Sequence, residues 1–254
     1  VTSGEWWSAT TTPRRAPGET ADAVFSDHKA EFRKFAYGIE SRMEVIVASE
    51  AQAEGRRLTL RNPGTEPRTI EVTSYGEIVL DREDADRAHP AFSKMFVETE
   101  IREAVILARR KPRAPHGREP WMAHLISGPA EGRVTEAETD RRAFLGRGRS
   151  LAEAAAFDPG ATLAGHDGFT LDACFALRRS YRLLPGKEVH IVFWTIAAED
   201  REALDRAVAH YSRVETFEHE DRLAWTQSQV QLRHLDVTLE EAALFRRYAA
   251  LLVY

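Results

Sequence analysis

A period-two pattern of apolar and polar residues runs from Gly168 to Leu183. Apolar side chains stand at every second position, with one interruption at Arg179: Phe169, Leu171, Ala173, Phe175, Leu177, Tyr181 and Leu183. Alternation of this length predicts a long strand with one buried face and one face in water. Pro185 and Gly186 then predict a tight turn, so the segment is interpreted as the first arm of a hairpin.

The return strand of this hairpin, Glu188–Ile196, has a different pattern. Both of its faces are apolar, with Val189, Ile191 and Phe193 on one and Val192, Trp194 and Ile196 on the other. A strand that is apolar on both faces belongs in the interior of a layered sheet. We therefore predict that this strand lies at the centre of the fold.

Shorter strand-like segments precede the hairpin. In chain order they are Glu5–Ala9, Ile39–Val47, the residues around Leu58 and Leu60, Thr69–Leu80, Ser93–Thr99, Ala104–Arg109 and Trp121–Ser127. Loops are predicted between them at Thr10–Thr20, Asn62–Gly64, Asp81–Arg87 and Lys111–Pro120. Regular short strands separated by turn signals are typical of an antiparallel β-sandwich.

The period changes after Ile196. Leu204, Ala207, Val208 and Tyr211 follow the spacing of one helix face. Leu223–Leu235 is predicted as a second helix, and the capping box formed by Thr238 and Glu241 opens a third that runs to the end. The chain therefore divides into a mainly β domain, residues 1–198, and a helical segment, residues 199–254.

Composition narrows the functional classes. The chain has 254 residues, of which 43% are hydrophobic and 30% charged, and a net charge of −5. These values indicate a soluble globular protein and disfavour a nucleic-acid partner. The one cysteine, Cys174, precludes an intrachain disulfide, which fits a reducing compartment. No apolar run is long enough to predict a membrane contact. Since the chain starts at Val1 and ends within a helical pattern, we expect a fragment of a larger protein.

Glu98 and Glu100 share one face of a predicted strand. At about 3.3 Å per residue their Cα atoms lie roughly 6.6 Å apart, which is comparable to the carboxylate separation in glycosidases. Catalytic pairs normally come from different elements, however, and acidic neighbours on a wet face are common. Glu98 is therefore a candidate for sugar contact, with a surface or hydrogen-bonding role as the alternative.

The segment Gly146–Arg149 has the composition of an anion cradle, because glycine frees the backbone and arginine supplies charge. It lacks the lysine and hydroxyl residue of a P-loop. The alternative, which we favour, is a tight turn whose arginines pair with Glu136, Glu138 or Asp140. Arg147 is kept as a candidate sugar-binding residue.

Metal and cofactor sites are not expected. His219 and Glu220 open like a zincin motif, but Leu223 stands where the second histidine should be.

Three tryptophans, Trp6, Trp7 and Trp121, are candidate platforms for sugar stacking, because flat apolar rings suit the faces of sugars. Aromatic residues in a sandwich more often belong to the core, which is the alternative for all three.

Five longer stretches together resemble one family. They are Ser3–Ala9, Glu71–Tyr75, His89–Glu100, Glu138–Arg149 and Leu223–Gln231. They are similar to the phosphorylase-like module of cyclic β-1,2-glucan synthases, which is related to cellobiose phosphorylase in glycoside hydrolase family 94. The resemblance covers nearly the whole chain.

The resemblance implies an antiparallel β-supersandwich of the galactose-mutarotase type, followed by a helical linker and an (α/α)6 barrel. The general acid and the phosphate site of such enzymes lie in the barrel, so this chain is expected to lack catalytic residues. The chain is also expected to start inside the sandwich and to lack some of its first strands. It also implies a β-linked glucan as ligand, the barrel as partner and subunit contact through the sandwich. The parent protein would act at the cytoplasmic side of the inner membrane.

Two other functions stay open from the residues alone. One is a self-sufficient glycosidase that uses Glu98 with another carboxylate. The other is a stand-alone carbohydrate-binding sandwich. Turnover of β-1,2-glucan would favour the glycosidase, whereas binding without turnover would favour the binding module.

The last helix generates a testable prediction. Its apolar face is broad and includes Leu244, Phe245, Tyr248, Leu251 and Leu252. An isolated helix of this length is marginal in water, so we expect it to fold back on the sandwich or to pair with a second copy. Light scattering of the wild type and of the Phe245→Glu/Leu252→Glu variant distinguishes the two. A dimer that the variant dissolves supports pairing, and a monomer whose melting temperature falls supports fold-back. A monomer indifferent to both changes, with the helix still ordered, would contradict the prediction.

Overall fold

Two antiparallel sheets pack face to face in the computed structural model, which describes residues 4–112, 119–129 and 135–253. The larger sheet has nine strands in the order β1 (Thr20–Phe25), β2 (Lys29–Ala36), β3 (Ile39–Val47), β4 (Ala53–Arg61), β12 (Glu188–Ala198), β8 (Trp121–Ser127), β7 (Val105–Arg110), β6 (Val97–Arg102) and β10 (Gly168–Phe169). The smaller sheet has the order β5 (Arg68–Glu77), β11 (Ala173–Leu183) and β9 (Glu136–Asp140). Both sheets are open, so the predicted antiparallel sandwich is confirmed.

Six α-helices lie within the described residues. They are α1 (Glu83–Ala88), α2 (Pro90–Lys94), α3 (Arg141–Leu145), α4 (Arg201–Tyr211), α5 (Thr216–His234) and α6 (Leu239–Val253). The last three occupy the region where the helical period was found. The capping box is also present. The Glu241 carboxylate accepts a hydrogen bond from the backbone N–H of Thr238, and the backbone N–H of Glu241 donates to the Thr238 hydroxyl. In the described part of the chain, no helix has both the length and the hydrophobicity to cross a bilayer.

Strand β12 lies at the middle of the larger sheet, between β4 and β8. Val189, Ile191 and Phe193 point into the core between the two sheets. Val192, Trp194 and Ile196 point the other way, into a second core under α4 and α5. The prediction of a central strand that is buried on both faces is therefore confirmed.

Strand β11 differs from its prediction in three ways. The regular strand begins only at Ala173, and Phe169 and Leu171 are more than half exposed. The face predicted to be wet is covered by residues 141–163, so that Arg178 is buried, and Arg179, the one polar residue on the apolar face, is buried as well. Finally, the turn at Pro185–Gly186 is present, but β11 and β12 do not form a hairpin because they belong to different sheets.

Sequence patterns also misplaced some elements near the N-terminus and before β6. Glu5–Ala9 is not a strand, and β1 and β2 were not predicted. Asp81–Arg87 was predicted as a loop and Ser93–Thr99 as a strand, but α1 and α2 occupy residues 83–94. Acidic residues in the first turn of α1 and the proline that opens α2 explain the helices, since both favour helix N-termini. Of the predicted Lys111–Pro120 loop, residues 113–118 lie outside the described part.

Helix α6 leaves most of its apolar face uncovered in the single chain. Ala242 is buried, and Arg246 pairs with Asp27 in the turn before β2. The five large apolar or aromatic side chains remain between 45% and 86% exposed: Leu244, Phe245, Tyr248, Leu251 and Leu252. The fold-back alternative is therefore wrong for this face, and pairing with a second copy stays a prediction.

Charged groups fasten helix α5 to the larger sheet. The Glu44 carboxylate is almost fully buried. It forms ion pairs with Lys29 at 3.1 Å and with Arg57 at 2.8 Å. The same two cations reach α5, where Lys29 pairs with Asp221 at 3.2 Å and Arg57 pairs with Glu218. A buried carboxylate is tolerated only when it is paired, so this network fixes where the helix can sit.

His124 links the two sheets across the core. Its Nδ1 lies 3.0 Å from Thr195 Oγ1 in the same sheet, and its Nε2 lies 3.0 Å from Ser74 Oγ on β5. The ring stacks on Phe175 with centroids 4.0 Å apart. Burial, with the nearby charge of Arg56, lowers the pKa of His124 to about 3, so the imidazole is neutral in the folded protein.

This buried imidazole makes stability depend on pH. The unfolded chain protonates the residue near pH 6.5, whereas the folded chain does not until about pH 3. Stability is therefore lost as the pH falls below about 6.5, by about 2 kcal/mol between pH 6.5 and 5. Urea titrations should show that His124→Gln removes this dependence. The exposed His219→Gln is the matched control, and an unchanged slope in His124→Gln would contradict the assignment.

Candidate functional site

A row of four side chains crosses the outer face of the larger sheet. The strand register pairs Phe169 with Glu98, Glu98 with Arg109, and Arg109 with Trp121. Directly opposed residues of antiparallel strands share a face, and neighbouring strands are about 4.8 Å apart, so the row spans roughly 14 Å. We call these four residues the cross-strand row. It brings together two of the predicted site residues, Glu98 and Trp121.

Glu98 is an ion-paired carboxylate in this row. Its Oε2 lies 2.6 Å from Arg109 Nη2 and 3.6 Å from Lys111 Nζ, and Arg109 also binds Glu119 at 2.9 Å. Partial burial acts to raise the pKa of Glu98, but the hydrogen bond and charge of Arg109 outweigh it and hold the pKa below its usual value. A general acid of a glycosidase needs the opposite shift.

Glu100, the other half of the candidate catalytic pair, is also engaged. It binds Arg102 Nε at 2.5 Å and Arg201 Nη1 at 3.2 Å. Arg201 belongs to the first turn of α4, so the helix and the sheet edge share this carboxylate. The arrangement serves to join two elements, in agreement with the surface or hydrogen-bonding alternative.

The two aromatic rings at the ends of the row are in contact with cations. Arg109 and Arg201 lie with Cζ 5.5 Å and 5.2 Å from the Trp121 ring centroid. Lys111 Nζ lies 4.3 Å from the centre of Phe169, which is 55% exposed. Aromatic surface flanked by both donors and acceptors can bind an extended polyhydroxylated chain, because ring faces take the apolar side of a sugar and the ionic groups take its hydroxyls.

Trp6 lies elsewhere, beside a cavity of about 300 Å³. Its ring stacks on Phe157 with centroids 4.2 Å apart, and Arg14 Cζ lies 5.1 Å from the ring centroid. The cavity is lined by residues of two segments, Gly4, Trp6 and Arg14 from the first and Arg149, Glu153, Ala154, Phe157, Asp158 and Pro159 from the second. Trp6 is thus separate from the cross-strand row.

Trp7 and Arg147 line neither surface. Trp7 packs against the core between the sheets and tilts against Tyr37 at 5.5 Å, which agrees with the core alternative for this residue. Arg147 is exposed, in the turn just before the cavity residue Arg149. Neither position is arranged for sugar stacking or anion binding in the described part of the chain.

Gly146–Arg149 forms a tight turn at the end of α3, as the favoured alternative predicted. Gly146 has φ +82°, and a Cβ there would meet Ala155 Cβ at 2.9 Å. The predicted partners of the arginines were wrong. Arg149 pairs with Asp158 at 2.7 Å, because the three acidic residues of β9 have other roles. Glu136 and Glu138 bind Leu163 N and His166 Nδ1, and Asp140 caps α3.

The histidine and acidic residues of α5 do not assemble into a metal centre. His219 is exposed, whereas Glu220 is buried with Oε1 3.7 Å from His210 Nε2. No group of three or more metal-ligating side chains was found within the described ranges.

Sequence reasoning missed Phe169 and Phe157 as site residues. The alternating pattern assigned Phe169 to a buried face, and only the pairing of β10 with β6 places it beside Glu98. Phe157 lies in a segment without a periodic signal. The only signal available for either was an aromatic residue within two positions of a glycine or a proline, which is too common to identify a site.

Charge removal at Glu98 should lower stability, whereas charge removal at Arg147 should not. Glu98→Ala deletes a paired, half-buried carboxylate, which costs about 0.5–1 kcal/mol and lowers the melting temperature by about 1–4 °C. Arg147→Ala removes an exposed charge and should change stability by less than about 0.5 kcal/mol. Thermal melts test both. Unchanged melting of Glu98→Ala together with lost glucan affinity would show that Glu98 is a binding residue rather than a structural one.

Comparison with known proteins gives a family and one relative. The model of the family described as "Glycosyl hydrolase 94, supersandwich domain" matches residues 1–214. The cyclic beta-(1,2)-glucan synthase NdvB of Rhizobium meliloti (strain 1021) is 56% identical over 255 aligned positions, which cover 99% of this chain and 9% of that protein. The chain thus spans about a tenth of the relative's length.

Solved structures resemble the fold only distantly. A putative kojibiose phosphorylase from the human microbiome has a TM-score of 0.43 and 6% identity, over 81% of this chain and 23% of its own. A polysaccharide lyase has a TM-score of 0.37 and 13% identity, over 68% of this chain and 22% of its own. Neither carries a functional argument. The family match and the identity to NdvB agree with the resemblance found in the sequence motifs, and the chain belongs to the supersandwich domain family of glycosyl hydrolase 94.

Proposed function

We propose that the chain is the supersandwich and linker portion of a cyclic β-1,2-glucan synthase. The 56% identity to NdvB over nearly the whole chain supports this origin. Within the parent the sandwich, residues 1–198, forms one wall of the sugar cleft, and the helices of residues 199–254 lead to an (α/α)6 barrel. The chain is not catalytic by itself.

One observation carries the role of cleft wall, and it is the cross-strand row. The row has an exposed ring, Phe169, at one end and a partly buried ring, Trp121, which packs against the core under α4 and α5, at the other. A carboxylate and a guanidinium lie between the rings, and this arrangement suits a sugar chain laid across the strands. The ion pairs hold Glu98 and Arg109 in fixed positions, so a glucan would meet a preformed surface. The ionised state of Glu98 favours sugar binding over general-acid catalysis.

The proposed partners follow from the exposed surfaces and from the family. The uncovered apolar side chains of α6 supply a face for the barrel of the parent protein or for a second copy of the chain. We place the parent at the cytoplasmic side of the inner membrane, with the sandwich not itself touching the membrane. A stand-alone carbohydrate-binding sandwich is the alternative, since the same row would serve either protein.

The proposal predicts binding of β-1,2-glucan without turnover. Incubation of the purified chain with glucan and phosphate should release neither glucose 1-phosphate nor new reducing ends. The reason is that Glu98 and Glu100 are both held by arginines, and that the pKa of Glu98 is lowered, whereas a general acid needs a raised one. Turnover that Glu98→Gln abolishes would support the glycosidase instead.

The row itself can be tested by calorimetric titration with a β-1,2-glucan chain. Phe169→Ala and Trp121→Ala should each weaken binding about tenfold, equivalent to about 1.4 kcal/mol. Trp225→Ala is the matched control, because Trp225 is an exposed tryptophan on α5 that lies outside the row and the cavity. Equal affinity of all three variants would contradict the assignment of the row.

A further inference from the structure

The Trp6 cavity lies on the layer that covers the smaller sheet, whereas the cross-strand row lies on the outer face of the larger sheet. We propose that this cavity is a second carbohydrate site, which binds a single neutral sugar ring. The choice of a sugar as ligand rests on the proposed function, but the site and its residues are independent of the row.

The cavity has the size and the shape for one ring. Its volume of about 300 Å³ is at the lower end of small-molecule pockets, which span about 300–1,000 Å³. Gly4 and Pro159 are close neighbours at its edge, since a Cβ on Gly4 would lie 3.0 Å from Pro159 Cγ. The volume suits a monosaccharide or the end of a sugar chain.

The lining combines an aromatic platform with balanced charges. Trp6 is partly exposed and is backed by Phe157. Arg149 and Asp158 form an ion pair at 2.7 Å, Arg14 adds a donor and Glu153 adds an acceptor, so the four formal charges cancel. Hydroxyl groups both donate and accept, whereas a phosphate or an ammonium group uses only one kind of partner. The balance thus selects a neutral polyhydroxylated ligand over an ion.

A buried lysine fixes the first wall of the cavity. Lys34 on β2 has a side chain that is only 1% exposed and pairs with Glu19 at 2.8 Å. It also donates to the carbonyl oxygens of Ser8 at 2.9 Å and Thr10 at 2.7 Å. The segment between Trp6 and Arg14 is therefore held to the larger sheet, although it contains no strand.

A buried arginine fixes the second wall. Arg178 on β11 donates to the carbonyl oxygens of Ala156 and Ala161, and its Nε donates to Thr73 Oγ1 at 3.1 Å. Its Cζ lies 5.9 Å from the centre of Phe157, the ring that backs Trp6. Arg178 does not line the cavity, so we assign it as a positioning residue for the Phe157 wall.

The site is tested by calorimetry and by ligand-observed NMR with D-glucose and a β-1,2-linked glucose disaccharide. Trp6→Ala and Arg149→Ala should each weaken binding of these short ligands at least tenfold. The remote Trp225→Ala should leave it unchanged. Glucose 1-phosphate should bind no more tightly than glucose. Because Trp6 and Arg149 are at the surface, both variants are expected to fold.

The positioning role has its own readout. Arg178→Lys keeps the positive charge but cannot serve both carbonyl groups, so affinity for the disaccharide should fall while the affinity of the cross-strand row for a long glucan is kept. A merely structural role would move the melting temperature without this selectivity, and that result would overturn the assignment of Arg178.

The results separate the two sites. Both sites are supported if Trp121→Ala and Phe169→Ala weaken long-glucan binding, and if Trp6→Ala and Arg149→Ala weaken disaccharide binding. No binding of either short ligand, Trp6→Ala without effect, or preference for glucose 1-phosphate would overturn the cavity proposal and leave the row untouched. If short ligands bind through Trp6 but the row variants do not change the affinity for long glucan, the proposed function of the row is overturned and the cavity proposal stands.

Discussion

Strand β12 is buried on both faces, and this double burial determines how the other layers are arranged. A strand that is apolar on both sides needs a packed layer on each. The smaller sheet supplies one layer, and α4 with α5 supplies the other. Placing α4 there also sets Arg201 beside Trp121 and Glu100. The geometry of the cross-strand row is therefore a consequence of how the central strand is covered.

Buried charges then decide where irregular segments lie on this frame. Glu44 receives two cations that also reach α5, Lys34 holds the segment before β1, and Arg178 holds the segment before β10. An unpaired charge in these positions would be expensive, so alternative placements of the segments are penalised. Loops with little hydrophobic content can in this way form the walls of a cavity with a defined shape.

Local patterns were enough to predict the elements whose side chains report directly on burial. The central strand, the strands at 39–47 and 121–127 and the three C-terminal helices all have clear periods. The pattern failed where tertiary structure covers a polar face. Arg178 was interpreted as solvent-facing, because a sequence does not reveal the layer formed by residues 141–163.

The candidate sites were only partly predictable for the same reason. Glu98 and Trp121 were found by residue type, but their placement in one row follows from strand register, which depends on long-range pairing. Trp6 was found as an aromatic residue in a supposed strand, whereas its cavity depends on a segment about 150 positions away. Trp7 has the same residue type and neighbours, yet it packs in the core.

Under the proposed function, a glucan binds the outer face of the larger sheet without being cleaved. This binding can be followed by NMR through the indole N–H signals of the tryptophans while a long β-1,2-glucan is added. We expect the Trp121 signal to shift and saturate while those of the buried Trp194 and of the remote Trp225 stay in place. A Trp121 signal that does not move at saturating glucan, or shifts confined to Trp225, would contradict it.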